Sequence, residues 1–452
     1  MTHHANGECE TTMDPTLLSR ILTAETLAFH IIWATIGVGV PIFISLAEAW
    51  GIYKKDDHYI LMARRWTRGF VITVAVGVVT GTSIGLMLNL LWPRFMQLAG
   101  NVISLPLFLE TFAFFFEAIF LGIYLYTWDR FRKPIYHWLT SIPIIIGSAL
   151  SAVFITTVNA FMNTPAGVQI ENGEVTDIYP LAAMFNPATP SKIAHVLSSS
   201  YVACAFLLGG IAAHALLKGR HSTYHQKGLK MTMIAGLILS VATAVAGDMS
   251  GKFLAKNVPE KLAAAEWHFE TQQEAPLIIG GYLDENQEVQ GAIQIPWALS
   301  ILGKGKPDGE IIGLNDFPVD ERPPLYLHYL FDGMVLIGAF LILISALFLY
   351  AWWRRRNLWH PWLLRGIVLG APMSFLAIEL GWIYAEVGRQ PWIIRGVMRV
   401  DAASTTADHV GVLLVVFTLL YITLAVIAVS VLRRLFHHHS PEKELEEHRI
   451  IL

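Results

Sequence analysis

The chain has 452 residues, of which 54% are hydrophobic and only 15% charged, where a soluble domain carries about 25% charged residues. So much apolar surface excludes a soluble enzyme, a disordered chain and a fibre. The net charge of -3 offers nothing to nucleic acid, and two cysteines, Cys9 and Cys204, make neither a disulfide framework nor a Cys-rich metal site. The 14 Trp and 17 His are the counts that need a reason in a membrane protein.

A bilayer-spanning helix needs about 20 mostly apolar residues. Nine stretches qualify: 18–50, 69–92, 105–128, 138–162, 193–217, 231–247, 324–352, 362–387 and 409–432. The expected fold is an all-α integral membrane protein, a bundle of about nine transmembrane helices with one long extracytoplasmic loop. It divides into residues 1–248 with helices one to six, 249–323 as the loop, and 324–452 with helices seven to nine and a tail. The first 17 residues are polar and lack the basic-then-apolar layout of a signal peptide. His3-His4 and His437-His438-His439 read as solvated tail residues rather than metal tracts.

Nine spans put the termini on opposite sides. Segments 51–68, 128–137, 218–230, 353–365 and 433–452 hold 20 of the 32 Lys and Arg, against 6 in the short segments of the other side. Cytoplasmic loops carry the excess of Lys and Arg, so the N-terminus is expected outside and the C-terminus in the cytoplasm. The loop 249–323 carries 12 Asp and Glu and lies outside. A loop of that length in a compact bundle is usually functional or disordered. No inverted repeat of the transporter kind is visible.

Ionisable groups within spans are costly and usually functional. His30, in the first span, reads equally as a hydrogen-bonded packing residue or as an axial haem ligand. His195 opens the fifth span and is followed by Ser198, Ser199, Ser200 and Ala203. Such small side chains admit a flat macrocycle, and they equally admit close helix packing. Met334 taken alone is more often packing than a ligand. Glu110 and Glu117 are two helical turns apart on one face of the Phe-rich third span, which suggests a proton relay. Glu379, Trp382, Glu386 and Arg389 fall at helical spacing on one stripe of the eighth span. A carboxylate there could bind iron, with Arg389 pairing a propionate. His195, Met334 and Glu386 all fall toward the loop side.

At these residues the chain resembles subunit I of the cytochrome bd-type quinol oxidases, nearly end to end. Leu18-Ser19-Arg20 with His30 matches the family's first helix. Leu109-Glu110 with Glu117 and Trp128-Asp129-Arg130 matches its third. Gly147-Ser148-Ala149-Leu150-Ser151-Ala152 and Asn159-Ala160-Phe161-Met162-Asn163-Thr164-Pro165 match its fourth. Lys218-Gly219-Arg220 closes the fifth, and Gly247-Asp248 precedes the long loop. The most specific string is Gly388-Arg389-Gln390-Pro391-Trp392 after Gly381-Trp382.

The resemblance implies three haems: a low-spin haem b on His195 and Met334, a high-spin haem b on Glu386, and an O2-reducing haem on His30. It implies that the outer loop is a quinol-binding Q-loop, with Lys261 and Glu266 as its quinol-site residues. It also implies a second membrane subunit, with small accessory subunits left open. The chain departs from the family in four places. Asp332 stands where an Arg is usual two residues before the Met ligand, Leu22 where a Gln is expected, and Glu25 is an added acid. The loop is of the short kind. These departures leave haem d or a third haem b open at the O2 site.

The function this implies is a subunit of a respiratory quinol:O2 oxidoreductase in the inner membrane of a bacterial or archaeal cell. Quinol would be oxidised outside, and electrons would pass through the low-spin and high-spin haems to O2. Protons drawn from the cytoplasm toward Glu117 and Glu110 would generate a gradient. A haem-bearing electron carrier or sensor without O2 reductase activity is the alternative. A transporter is a third class.

Overall fold

Each long helix begins and ends where the sequence supplies a cap or a break. Helix α1 (Pro15–Lys54) starts with Asp14, whose carboxylate accepts from the Thr16 N–H, and with Pro15 at a position where no N–H is needed. It stops at Lys55 in the left-handed conformation. Helix α2 (Asp57–Leu91) is capped the same way by Asp56, and α3 (Pro93–Tyr126) again opens on a proline. The computed structural model describes residues 14–171, 174–220, 222–407 and 409–447. The His3-His4 tract and Cys9 lie outside the described residues.

The remaining helices are α4 (Pro134–Leu139), α5 (Ser141–Asn163), α6 (Pro180–Met184), α7 (Thr189–Leu217), α8 (Thr223–Asn257), α9 (Pro259–Ala265), α10 (Ala298–Lys304), α11 (Leu327–Trp353), α12 (Pro361–Val387), α13 (Val400–Ala403), α14 (Val410–His438) and α15 (Pro441–Glu447). Among the described residues, nine helical spans are long and apolar enough to cross a membrane, with α4 and α5 together forming the fourth.

Several helices outrun the apolar stretches that announce them. Helix α2 begins at Asp57 instead of 69, α3 at Pro93 instead of 105, and α8 runs to Asn257, well past 247. A 35-residue helix is about 52 Å long against a hydrocarbon core of about 30 Å. The extra turns carry polar residues that hydropathy does not count. The loop therefore starts at the end of α8 rather than at Met249, and an Asp248–Lys252 ion pair at 2.6 Å supports those last turns.

Two packing groups organise the bundle. Helices α7, α8, α11 and α12 close a four-membered ring, since α7 packs on α8 and α12 while α11 packs on α12 and α8. Helices α1, α2, α3 and α5 build the other half, with α1 also against α7. The outward faces are apolar: Phe108, Phe112, Phe115 and Ile119 on α3, and Val412, Val415, Leu419 and Val426 on α14, are all exposed. Water would not tolerate such a surface, but lipid is as apolar as leucine.

The long loop is folded. After α9, strand Leu277–Ile279 pairs antiparallel with Ile293–Ile295, and Tyr282–Leu283 with Val289–Gln290. Helix α10 and two short 3-10 turns then lead into α11. At the opposite end of the bundle, α15 folds back and its Glu444 accepts from Arg65 at 2.8 Å and Arg68 at 2.6 Å.

Candidate functional site

Three candidate ligands share one local arrangement: each faces a glycine of the next helix. A Cβ on Gly81 of α2 would lie 3.3 Å from His30 Cε1, one on Gly247 of α8 would lie 3.6 Å from His195 Cε1, and one on Gly381 of α12 would lie 3.0 Å from Met334 Sδ. Larger side chains there would crowd the very atoms a flat macrocycle has to reach. His195 and Met334 stand on α7 and α11, which are diagonal in the four-helix ring. They are the seventh and eighth residues of their helices, a similar distance from the starts of both. Facing helices of a bundle hold axial ligands in this way.

The hydrogen bonds suit iron. The single Thr80 hydroxyl proton goes to the Val76 carbonyl at 2.9 Å, so Thr80 Oγ1 accepts from His30 Nδ1–H at 2.8 Å. That bond fixes the tautomer and leaves Nε2 unprotonated, the usual arrangement behind a metal-bound imidazole. His195 Nδ1 is buried with no hydrogen-bond partner among the described residues. The residues present therefore fit haem.

Glu386, next to last in α12, is held from two sides. Asn159 Nδ2 donates to its Oε1 at 2.6 Å, and Arg389 donates to its Oε2 at 2.5 Å. Lys192 Nζ in turn donates to Asn159 Oδ1 at 2.8 Å. Arg389 does not extend the helical stripe as its spacing predicts, because α12 ends at Val387 and the arginine folds back onto Glu386. Its Nη1 is buried without a hydrogen-bond partner among the described residues, which suits an anionic ligand such as a propionate. Trp382 is half-buried one turn before Glu386. Glu379, two turns before Glu386, has a buried carboxylate oxygen with no hydrogen-bond partner among the described residues.

The loop adds a second set of groups directly above. Lys261 in α9 is buried, its Nζ donates to the Ala385 carbonyl at 3.1 Å, and it lies 4.6 Å from the centre of the Tyr384 ring. Burial pulls its ammonium down to about 7. Glu266 closes α9 and is also buried, its Oε2 without a hydrogen-bond partner among the described residues. Burial pushes its carboxyl up to about 8, and the negative Asp332 nearby adds to this. Lys261 and Glu266 are thus not a solvated surface pair. Asp332, where the family usually has Arg, accepts from the Gly280 N–H at 2.5 Å and lies 3.3 Å from His328 Nε2. His328 stacks on Trp267 at 4.0 Å and its Nδ1 donates to the Ala265 carbonyl at 2.7 Å. The departure therefore ties the loop hairpin to α11.

On α3, Glu117 is buried and Glu110 Oε1 accepts from Ser151 of α5 at 2.9 Å. Gly147 of α5 packs against the Glu117 backbone, which sets both acids at the α3–α5 seam. Of the other departures, Leu22 is fully buried in an apolar cluster and Glu25 accepts from Thr418 at 2.9 Å. Sequence reasoning overlooked Lys192, the pairing role of Asn159, and a buried Glu48–His137 pair. Glu48 lies inside the predicted first span, so the rule that singled out Glu110 reaches it too.

A family model described as cytochrome bd terminal oxidase subunit I matches residues 18–440. The chain is 42% identical over 441 residues, 96% of this chain and 99% of the relative, to a protein of Bacillus subtilis (strain 168) described as putative cytochrome bd menaquinol oxidase subunit I. It is 30% identical over 439 residues, 92% of each, to the cytochrome bd ubiquinol oxidase subunit 1 of the same organism. Among solved structures, the bd oxidase from Geobacillus thermodenitrificans superposes with a TM-score of 0.91 at 60% identity, covering 94% of this chain and 99% of that one.

Proposed function

Because the chain belongs to the cytochrome bd terminal oxidase subunit I family, we propose a division of labour among its own residues in the quinol oxidase reaction. The chain is a haem-bearing, multi-pass subunit of a bacterial quinol oxidase, working with a second membrane subunit on quinol and O2. His195 and Met334 hold a low-spin haem b across the four-helix ring. Glu386, steadied by Asn159 and Arg389, holds a high-spin haem b, and Arg389 receives a propionate. His30, its Nδ1 committed to Thr80, offers Nε2 to the third haem, a haem d or a further haem b, where O2 binds. Bound haem supplies the electron transfer and the O2 chemistry.

Lys261 and Glu266 bind quinol at the loop. Glu266 takes the hydroxyl proton as quinol is oxidised, and Lys261 positions the head group against α12. Glu117 and Glu110 pass protons toward the His30 site. The excess of Lys and Arg in the other set of segments supports an orientation with the loop end outside and the C-terminus in the cytoplasm. Quinol protons then leave outside while chemical protons enter from the cytoplasm, and a gradient results.

One observation carries this reading: Lys261 is seated on α12 at Ala385, immediately beside Glu386. The loop group that would recognise quinol is thus built onto the helix that would hold a haem. The test is spectroscopy with quinol-driven O2 consumption on the purified complex. Glu386→Gln is expected to lose the high-spin haem signal and keep the low-spin one. Retention of both signals would remove Glu386 from the ligand set. An electron carrier or sensor would show haem spectra with no CO-reactive iron.

A further inference from the structure

At the end of the bundle away from the loop lies a buried polar cluster that the quinol and haem sites do not use. Glu48 near the end of α1, Tyr124 near the end of α3 and His137 in α4 are 2%, 0% and 1% exposed. Tyr124 donates its hydroxyl to Glu48 Oε2 at 2.6 Å. His137 Nδ1 lies 2.6 Å from Glu48 Oε1, and His137 Nε2 lies 2.9 Å from the Tyr124 carbonyl. A carbonyl only accepts, so Nε2 carries a proton. Between Nδ1 and Oε1 there is then room for one more. Without it, a lone pair would face a carboxylate at 2.6 Å with no hydrogen between them. The pair therefore holds one proton at rest, whichever atom carries it.

This cluster is in line with the two acids already described. Glu110, Glu117 and Tyr124 follow at seven-residue intervals, one face of α3. Helix α5 runs antiparallel along that face. Ser151 bonds Glu110, Gly147 packs at Glu117 beside the buried Ser148, and Ser141 donates to Ser45 of α1 at 2.8 Å, three residues before Glu48. About 10 Å separates Tyr124 from Glu117 along the helix; Ser141 lies toward the Tyr124 end of that interval and Ser148 beside Glu117 at the other.

We propose that Glu48, His137 and Tyr124 form a proton-loading site that feeds Glu117 along the hydroxyl-lined α1–α3–α5 seam. This rests on the reading of Glu117 as a relay. The charged groups over the cluster are Arg64 of α2, which lies 4.9 Å from the Trp128 ring centre, and Asp129, which pairs with Arg64 at 2.5 Å. Trp128 packs against His137 with the rings tilted and their centres 4.3 Å apart. One proton enters at His137 for each that Glu48 passes on, and no electron moves within the cluster. A buried acid–base pair serving only to clamp three helices is the competing view.

Glu48→Gln separates the two. The amide still accepts from Tyr124 and donates to His137 Nδ1, so the clamp survives while the exchangeable proton is lost. In the purified two-subunit complex, the expected result is unchanged haem and CO-difference spectra, with proton uptake during O2 reduction slowed about tenfold or more and a larger solvent isotope effect. Tyr124→Phe keeps the ring packing and is expected to show a smaller slowing of the same kind. If Glu48→Gln takes up protons at the wild-type rate while Glu117→Gln does not, the loading site is overturned and the relay stands. Wild-type rates in both overturn the relay as well. Losses that only follow lost haem, in both Glu48→Gln and Tyr124→Phe, make the cluster a clamp and overturn the proposal.

Discussion

The Lys261 ammonium donates to the Ala385 carbonyl, one residue before Glu386. A short helix of the loop is thereby fastened to the last turn of α12, and Arg395 reinforces the contact by donating to Glu260 at 2.6 Å and to the Asn257 carbonyl at 2.9 Å. Lys261→Ala removes the ammonium and touches no proposed iron ligand. Quinol oxidation is expected to fall at least about tenfold, the loss of one charge-assisted hydrogen bond being worth about 1.5–3 kcal/mol. Haem spectra should be unchanged. Equal loss of haem would instead make the contact a structural clamp of α12.

Glu266 gives that site its pH dependence. Its carboxyl is raised to about 8 by burial, so it is neutral below that pH and ionised above it. A base accepts a proton only when ionised. The Glu266 limb of quinol oxidation is therefore expected to rise with pH toward about 8, while the Lys261 ammonium loses its charge above about 7 and turns the profile down on the alkaline side. Glu266→Gln should flatten the rising limb and lower the maximum about a hundredfold, the scale of a lost general base. An unchanged limb in the Gln variant would assign the titration to another group. Stability carries the opposite sign: the folded chain holds the Glu266 proton between the ordinary carboxylate range and about 8, so this contribution shrinks as pH rises through that window.

Met334→Leu conserves volume and cannot ligate. The low-spin haem signal is expected to disappear or turn high-spin while the protein still inserts, read from reduced-minus-oxidised spectra and complex yield. A companion change, Gly381→Val, leaves the sulfur in place and puts a side chain where even a Cβ would be 3.0 Å from Sδ. It should perturb the same signal. A wild-type low-spin spectrum in Met334→Leu would remove Met334 from the ligand set.

The number and order of the spans were legible because a run of about twenty apolar residues is the length a bilayer demands and longer than a soluble core usually buries. Helix ends were not, since α2 and α3 extend for three turns on residues that hydropathy scores as polar. His30, Glu110 and Glu117 were legible as ionisable groups placed where hydrocarbon penalises them. Lys192 was missed because it opens its helix close to the boundary, where a lysine ordinarily reaches water. Here Asn159 receives its ammonium instead. The glycines opposite His30, His195 and Met334 are invisible to spacing arguments, since each belongs to a different helix from the ligand it faces.

Away from the loop, stability should depend on α15. Glu444 is 4% exposed and joins Arg65, itself 4% exposed, to Arg68, and the Arg65 guanidinium also donates to the His439 carbonyl. Removing one partner of a buried pair costs about 3–5 kcal/mol, because the remaining charge stays buried. Glu444→Ala is expected to lower the melting temperature of the complex, measured by loss of haem absorbance on heating, with near-normal turnover at low temperature. An unchanged melting curve would show that α15 adds nothing to the fold.

Glu117 provides the most direct test of proton entry. It is buried at the α3–α5 seam, two helical turns from Glu110, whose carboxylate already has a hydroxyl partner in Ser151. Gly147 holds α5 so close that a Cβ there would come within 2.9 Å of both the Glu117 Cβ and its backbone N. The acid is thus fixed in place, and replacing it with glutamine changes little in shape. Glutamine still donates and accepts hydrogen bonds but has no proton to give. Glu117→Gln is therefore expected to slow steady-state O2 reduction about a hundredfold while haem content stays near normal. Glu110→Gln, nearer the proposed haem cluster, should slow turnover and also disturb the high-spin spectrum. If both acids only satisfy neighbouring polar groups, glutamine should serve almost as well. Wild-type turnover and wild-type membrane potential in both variants, measured in proteoliposomes, would remove the two glutamates from the proton path.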